Sequence, residues 1–166
     1  AIGFSLPRQL TLHMAKVGYS FIKRNEIIGS EMEIGPVEIS GIKLCGRLDI
    51  LVKNSEGKYC IADFKTARRI THKEDDFDSC IQILLYAYML NKSENIIIDS
   101  GEYNYLRYDK QIKCTISNGV FEQINELLNT LNKSLLTGEY SFTEKRTDCQ
   151  YCEYSDICRK EELKYD

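Results

Sequence analysis

A chain of 166 residues, 43% hydrophobic and 28% charged, is long enough for one compact domain with a real core. Its net charge of −3 argues against a protein that coats nucleic acid without specificity, while leaving room for a local basic site. No apolar run approaches the length of a membrane span, and the opening AIGFSLPRQL lacks the charged-then-apolar layout of a signal peptide.

Residues 7 to 24 read as a helix, with Pro7 in the first turn and Leu10, Met14, Val17 and Phe21 at helical spacing. Residues 31 to 39 are strand-like, and Gly35-Pro36 within them points to a turn or an edge. GIKLCGRLDILV reads as a long strand, KNSEGK as a polar turn and YCIADFKT as the next strand. Residues 42 to 66 are therefore expected to form an antiparallel hairpin. A polar loop, ARRITHKEDDFDS, leads into a helix at CIQILLYAYMLNK. NIIID and EYNYLRYDKQIKCTI read as strands, the second with a split at Asp109-Lys110. An amphipathic helix follows, with Asn118 as its cap and Gly138 past its end, and residues 141 to 166 form a short cysteine-bearing tail. This order implies an α/β (α+β) domain over residues 1–166, a mixed central sheet flanked by helices. The chain begins with Ala, which leaves room for it to be a piece of a longer or processed protein.

Two carboxylates interrupt the hairpin's apolar runs, Asp49 in RLDILV and Asp63 in IADFKT. Residues two apart on a strand share a face, so Asp63 and Lys65 point the same way and Phe64 packs on the other side. Pairing around NSEGK lets Asp49 approach Asp63. Carboxylates brought together repel unless a cation sits between them, and oxygen-only ligands select a hard ion such as Mg²⁺ or Mn²⁺. Lys65 could then orient or deprotonate a water, or stabilise charge on a phosphate. Spacing alone favours a solvated surface pair, but LDILV and CIADF are too apolar for a fully exposed edge. Downstream, Gln82 and Tyr86 stand four apart on one face of an otherwise apolar helix.

GRLD, IADFKT and QILLYAY, in that order, resemble the G-x-x-D, D-x-K and Q-x-x-x-Y motifs of RecB-like nucleases in the PD-(D/E)XK superfamily. The resemblance runs from about residue 31 to residue 158. It implies a restriction-endonuclease-like core. Asp49 and Asp63 would bind metal, with the Phe64 carbonyl as a further contact, and Lys65 would be catalytic. Gln82 and Tyr86 would lie beside the active site and the nucleic-acid strand. The family often places a histidine on its first helix as another metal ligand; His13 is the candidate here, against a structural role. Glu31 or Glu33 would match the acidic residue that often precedes the G-x-x-D strand. In the basic loop, Arg68, Arg69, His72 and Lys73 could contact phosphates, against the plainer reading of a solvated charged loop.

Of seven cysteines, Cys45, Cys60, Cys80 and Cys114 are scattered, as single buried thiols are, and three crowd into the tail. That distribution points to a reducing compartment, the cytoplasm, and to a local metal site rather than a disulfide framework. Cys149, Cys152 and Cys158, spaced C-x2-C-x5-C, form a metal or cluster signature. The same triplet is found in the iron–sulfur branch of RecB-like nucleases, which includes AddB-type helicase–nuclease subunits and CRISPR-associated adaptation exonucleases. There a fourth cysteine upstream of the nuclease motifs completes a [4Fe–4S] cluster. No cysteine precedes Cys45 here. The fourth ligand would lie in a segment absent from this chain, or be Cys45, Cys60, Cys80 or Cys114; otherwise the site holds zinc or nothing.

Together these readings imply a Mg²⁺- or Mn²⁺-dependent DNA nuclease, exonucleolytic on single strands or duplex ends. It would serve DNA repair, recombination or CRISPR-type processing, with a helicase or CRISPR adaptation partner. The alternative is a non-catalytic DNA-binding or assembly module with a structural iron–sulfur or zinc site.

Overall fold

The computed structural model describes residues 8–117, 119–139 and Glu153. It divides the chain into two compact units, 1–129 and 130–166, and the sheet and candidate site lie in the first. Helix α1 (Arg8–Arg24) is followed by strands β1 (Glu26–Ile39), β2 (Ile42–Lys53) and β3 (Tyr59–Lys65). Helix α2 (Phe77–Glu94), strands β4 (Ile98–Tyr105) and β5 (Lys110–Thr115), and helix α3 (Val120–Thr137) complete the order. One five-stranded sheet runs β1-β2-β3-β4-β5. Only β3 and β4 are parallel; the other neighbours are antiparallel. The expected mixed sheet with flanking helices is what forms, as is the β2–β3 hairpin.

The two faces of the hairpin are covered by different helices. Phe21 of α1 packs with Ile50, Val52 and Ala62, and its ring meets Phe64 edge-on at 5.4 Å. On the other side α2, with Ile83, Leu84, Ala87 and Leu90 buried, shares the main core with Leu51, Ile61 and Tyr103. The strands' alternation thus separates Phe64 from Asp63 and Lys65.

Several expected boundaries move. Of the turn or edge expected at Gly35-Pro36, the edge is what forms: β1 is an edge strand, the pair falls at a register shift between Ile34 and Val37, and a proline there loses no ladder bond on its outer side. The strands read as NIIID and EYNY are one strand, β4, running through Gly101. A Cβ on Gly101 would lie 2.2 Å from Ile83 Cγ2, so this glycine admits α2 onto the sheet rather than breaking the strand. Helix α2 starts at Phe77 instead of Cys80, because the Asp76 carboxylate caps it by accepting the Ser79 N–H at 2.9 Å. Asn118, expected to cap α3, lies outside the described residues, as do Cys149, Cys152 and Cys158. Among the described residues no helix is long and apolar enough to cross a membrane.

One cysteine expectation is overturned. Cys80 and Cys114 are not single thiols but a disulfide joining the first turn of α2 to β5, with their Cα atoms 5.7 Å apart. Their separation of 34 residues hides the pairing from any reading of spacing; the fold makes them neighbours. Closing a loop of that length restricts the unfolded chain, so Cys80→Ala with Cys114→Ala is expected to cost about 3–4 kcal/mol. Urea unfolding of the pair against the wild type under non-reducing conditions measures this, and equal midpoints would contradict the cross-link.

Candidate active site

The hydrogen-bonded β2–β3 ladder ends at Ile50–Ala62. One step further the register sets Asp49 opposite Asp63. The strands part at this point, and the Asp49 carboxylate fills the gap by accepting the Phe64 N–H at 2.9 Å. Asp49 therefore takes a backbone donor that a strand partner would otherwise satisfy. Asp63, only 6% exposed, points to the α2 side, and the Lys65 ammonium lies 2.7 Å from its Oδ2. That contact is an ion pair without aligned hydrogen-bond geometry, and Asp63 Oδ2 is otherwise buried with no donor.

A chain of side chains continues from Lys65 into α2 and back to β2. The Lys65 ammonium donates to Gln82 Oε1 and the Gln82 amide to the Tyr86 hydroxyl, each at 3.4 Å. Tyr86 in turn donates to the Arg47 carbonyl at 2.9 Å. The Tyr86 ring packs against Gly46, where a Cβ would meet Tyr86 Cε1 at 2.4 Å. The three sequence motifs are thus one packed assembly: the glycine admits the tyrosine, the tyrosine and glutamine lead to the lysine, and the lysine pairs with the aspartate.

Burial raises the Asp63 carboxyl pKa above its ordinary value; Lys65 pulls it down and Asp49 pushes it up. This donor set fits a hard divalent cation. It offers two adjacent carboxylates, one buried and balanced by the Lys65 ammonium, and no soft ligand. Among the described residues no three His, Cys, Asp or Glu side chains cluster as a closed cage. Mg²⁺ does not need one, because it is usually held by one or two carboxylates with water and substrate phosphates.

The remaining expected residues are placed as follows. Arg68, Arg69 and Lys73 are exposed on the loop after β3. That loop is tied to the turn after β4 by the Tyr108 hydroxyl, which donates to the Arg68 carbonyl. His13 is exposed on α1, and among the described residues no hydrogen bond or ion pair joins it to the aspartates. Glu31 pairs with Arg47 at 2.6 Å on the surface, and Glu33 is exposed nearby. Of the candidates for a fourth cluster ligand, Cys80 and Cys114 are removed by their disulfide. Among the described residues Cys45 and Cys60 are free, and burial pushes the Cys60 thiol up to about 11.

Two tyrosines escaped the sequence reading. The parallel register sets Tyr103 beside Asp63 and Tyr105 beside Lys65. Lys65 Nζ lies 5.1 Å from the centroid of the Tyr103 ring, and the Tyr103 hydroxyl is buried without a hydrogen-bond partner. Tyr105 accepts the Thr71 and His72 N–H groups and so anchors the loop. Their alternation in EYNY signals a shared face, but nothing in the sequence says whose face it is.

Two expectations follow from this geometry. Gly46→Ala must displace Tyr86, which is held by its hydroxyl, and should cost about 1–3 kcal/mol in chemical unfolding; an unchanged midpoint would mean the ring moves freely. Burial and Lys65, outweighing Asp63, lower the His72 pKa below 6.5. The folded state then binds that proton less tightly than the unfolded chain, so stability is full above the unfolded pKa and drains as pH falls below it. Wild type should therefore lose stability to acid more steeply than His72→Gln between about pH 7 and 5. Parallel curves would refute the shift.

Comparison with solved structures shows the same fold in SSO0001, at 17% identity and a TM-score of 0.53, covering 89% of this chain and 67% of the other. A repair endonuclease from Pyrococcus abyssi matches at 12% identity and a TM-score of 0.34, over 76% of this chain and 46% of the other. No curated protein sequence matches the chain. A family model, however, matches residues 8–159, nearly the whole length, and on that match the chain belongs to the PD-(D/E)XK nuclease superfamily.

Proposed function

We propose that this protein is a divalent-metal-dependent deoxyribonuclease that hydrolyses phosphodiester bonds at the Asp49–Asp63–Lys65 cluster. The observation that carries the reading is the pair of carboxylates at the point where β2 and β3 part: Asp63, buried and held against the Lys65 ammonium at 2.7 Å, with Asp49 set beside it. Asp49, Asp63 and the Phe64 carbonyl would hold Mg²⁺ or Mn²⁺; for His13, the further ligand that the resemblance implies, no contact among the described residues joins it to them. The ion would supply Lewis-acid polarisation of the phosphate and a water of lowered pKa. Lys65 places a positive charge where negative charge develops on the phosphorus oxygens. Gln82 and Tyr86 hold that ammonium in place through the chain that ends on the Arg47 carbonyl. Arg68, Arg69 and Lys73, on the loop leaving β3, contact the backbone phosphates.

The finer reading is an exonuclease acting on single strands or duplex ends in repair, recombination or CRISPR-type processing, beside a helicase or adaptation partner. The cytoplasm is the compartment it implies. Cys149, Cys152 and Cys158 would ligate a [4Fe–4S] cluster, or a zinc ion in its place. Iron and sulfide analysis of protein purified without oxygen separates the two.

The decisive experiment incubates the protein with Mg²⁺ or Mn²⁺ and labelled single- and double-stranded DNA. Wild type should cleave, EDTA should abolish cleavage, and Asp63→Ala or Lys65→Ala should reduce it by roughly 10²-fold or more. Mg²⁺ should also raise the melting temperature of wild type but not of Asp63→Ala. Intact DNA with wild type would leave a non-catalytic DNA-binding or assembly module as the reading.

A further inference from the structure

The loop between β3 and α2 carries one side chain that is held far more firmly than its neighbours. The His72 ring stacks on Tyr103, with centroids 3.8 Å apart and planes 23° apart. Its Nδ1 meets the Tyr105 hydroxyl. That hydroxyl already accepts the Thr71 N–H at 3.1 Å and the His72 N–H at 3.4 Å. Two donors fill the phenol oxygen's lone pairs, and of the two acceptors within reach of its own proton, Thr71 Oγ1 at 3.3 Å and His72 Nδ1 at 2.5 Å, the nitrogen is much the nearer and takes it. The imidazole is thereby fixed as the tautomer with hydrogen on Nε2. Burial and the Lys65 charge lower its pKa, against the opposing pull of Asp63.

Among the described residues Nε2 makes no hydrogen bond, and the half-buried ring lines the neighbouring groove. The space it shares is a groove of about 400 Å³, also lined by Gln82 and Tyr103, both of which contact Lys65. Asp78, a carboxylate on the same lining, is exposed, and water screens its charge. One face and one nitrogen of His72 are thus occupied by protein, and the residue lines a groove that adjoins the candidate active site.

We propose that His72 is a substrate-binding residue whose Nε2–H donates to a phosphate oxygen of a nucleic-acid strand lying in this groove. The substrate class rests on the nuclease reading above. The residue itself lies outside the strand and helix motifs, and its role is set by the two tyrosines of β4. A single hydrogen bond to a charged oxygen changes binding by about tenfold.

The test measures the Kd for a labelled single-stranded oligonucleotide in Ca²⁺ by fluorescence anisotropy, KM and kcat for its cleavage in Mg²⁺, and the melting temperature. Wild type is compared with His72→Ala, His72→Gln and Tyr105→Phe. His72→Ala is expected to raise Kd and KM about tenfold with kcat near wild type. His72→Gln, which restores an N–H near the Nε2 position, should recover most of that loss. Tyr105→Phe, which frees the ring, should weaken binding to an intermediate degree. An unchanged Kd in His72→Ala, equal losses in the Ala and Gln variants, losses that track a falling melting temperature, or no DNA binding by wild type would each overturn the proposal. Tight wild-type binding that His72→Ala weakens, without cleavage by wild type, would uphold the His72 contact and refute the nuclease reading instead.

Discussion

The site is organised by a single backbone hydrogen bond, from the Phe64 N–H to the Asp49 carboxylate. Where two antiparallel strands separate, each leaves donors and acceptors that must be satisfied. Here a side chain from one strand satisfies the other, so the separation stays open without an orphaned amide. The same bond fixes Asp49 one register step beyond the ladder, opposite Asp63. A tighter hairpin would close the gap that a cation needs; a looser one would let the carboxylates drift apart.

Around that opening the fold assembles charge in a graded way. Asp63 is buried and carries an ammonium partner, while Asp49 is half-buried and engaged to backbone. Lys65 is steadied on one side by the Tyr103 ring and on the other by Gln82. Each support comes from a different element, β4 or α2, and the disulfide from Cys80, two residues before Gln82, ties α2 to β5, the strand that pairs with β4. Because the supports converge from separate parts of the chain, they position the lysine more rigidly than local sequence could.

The close approach of Tyr86 to Gly46 explains why the motif glycine matters although it touches no reacting group. The G-x-x-D strand and the Q-x-x-x-Y helix meet there, and only hydrogen leaves room for the ring. The same logic at Gly101 and Ile83 lets the opposite end of β4 receive α2. Gly101, which falls between two expected strands, and Gly46, inside one, are the contacts that lay a helix across the sheet.

Much of this was legible in the chain itself. Alternation placed Asp63 and Lys65 on one face and Phe64 on the other, turn chemistry at KNSEGK set the hairpin, and helical spacing put Gln82 and Tyr86 together. These are period-2 and period-3.6 relations, which local backbone geometry enforces wherever the elements form. Tertiary structure alone decided what lay across long separations. It set Tyr103 and Tyr105 beside Asp63 and Lys65 through a parallel register, joined Cys80 to Cys114, and left His13 on the surface of α1. It also turned His72 from one of four polar loop residues into an oriented imidazole. Such contacts depend on how β4 returns to β3, and a crossover of that length writes no period into the sequence.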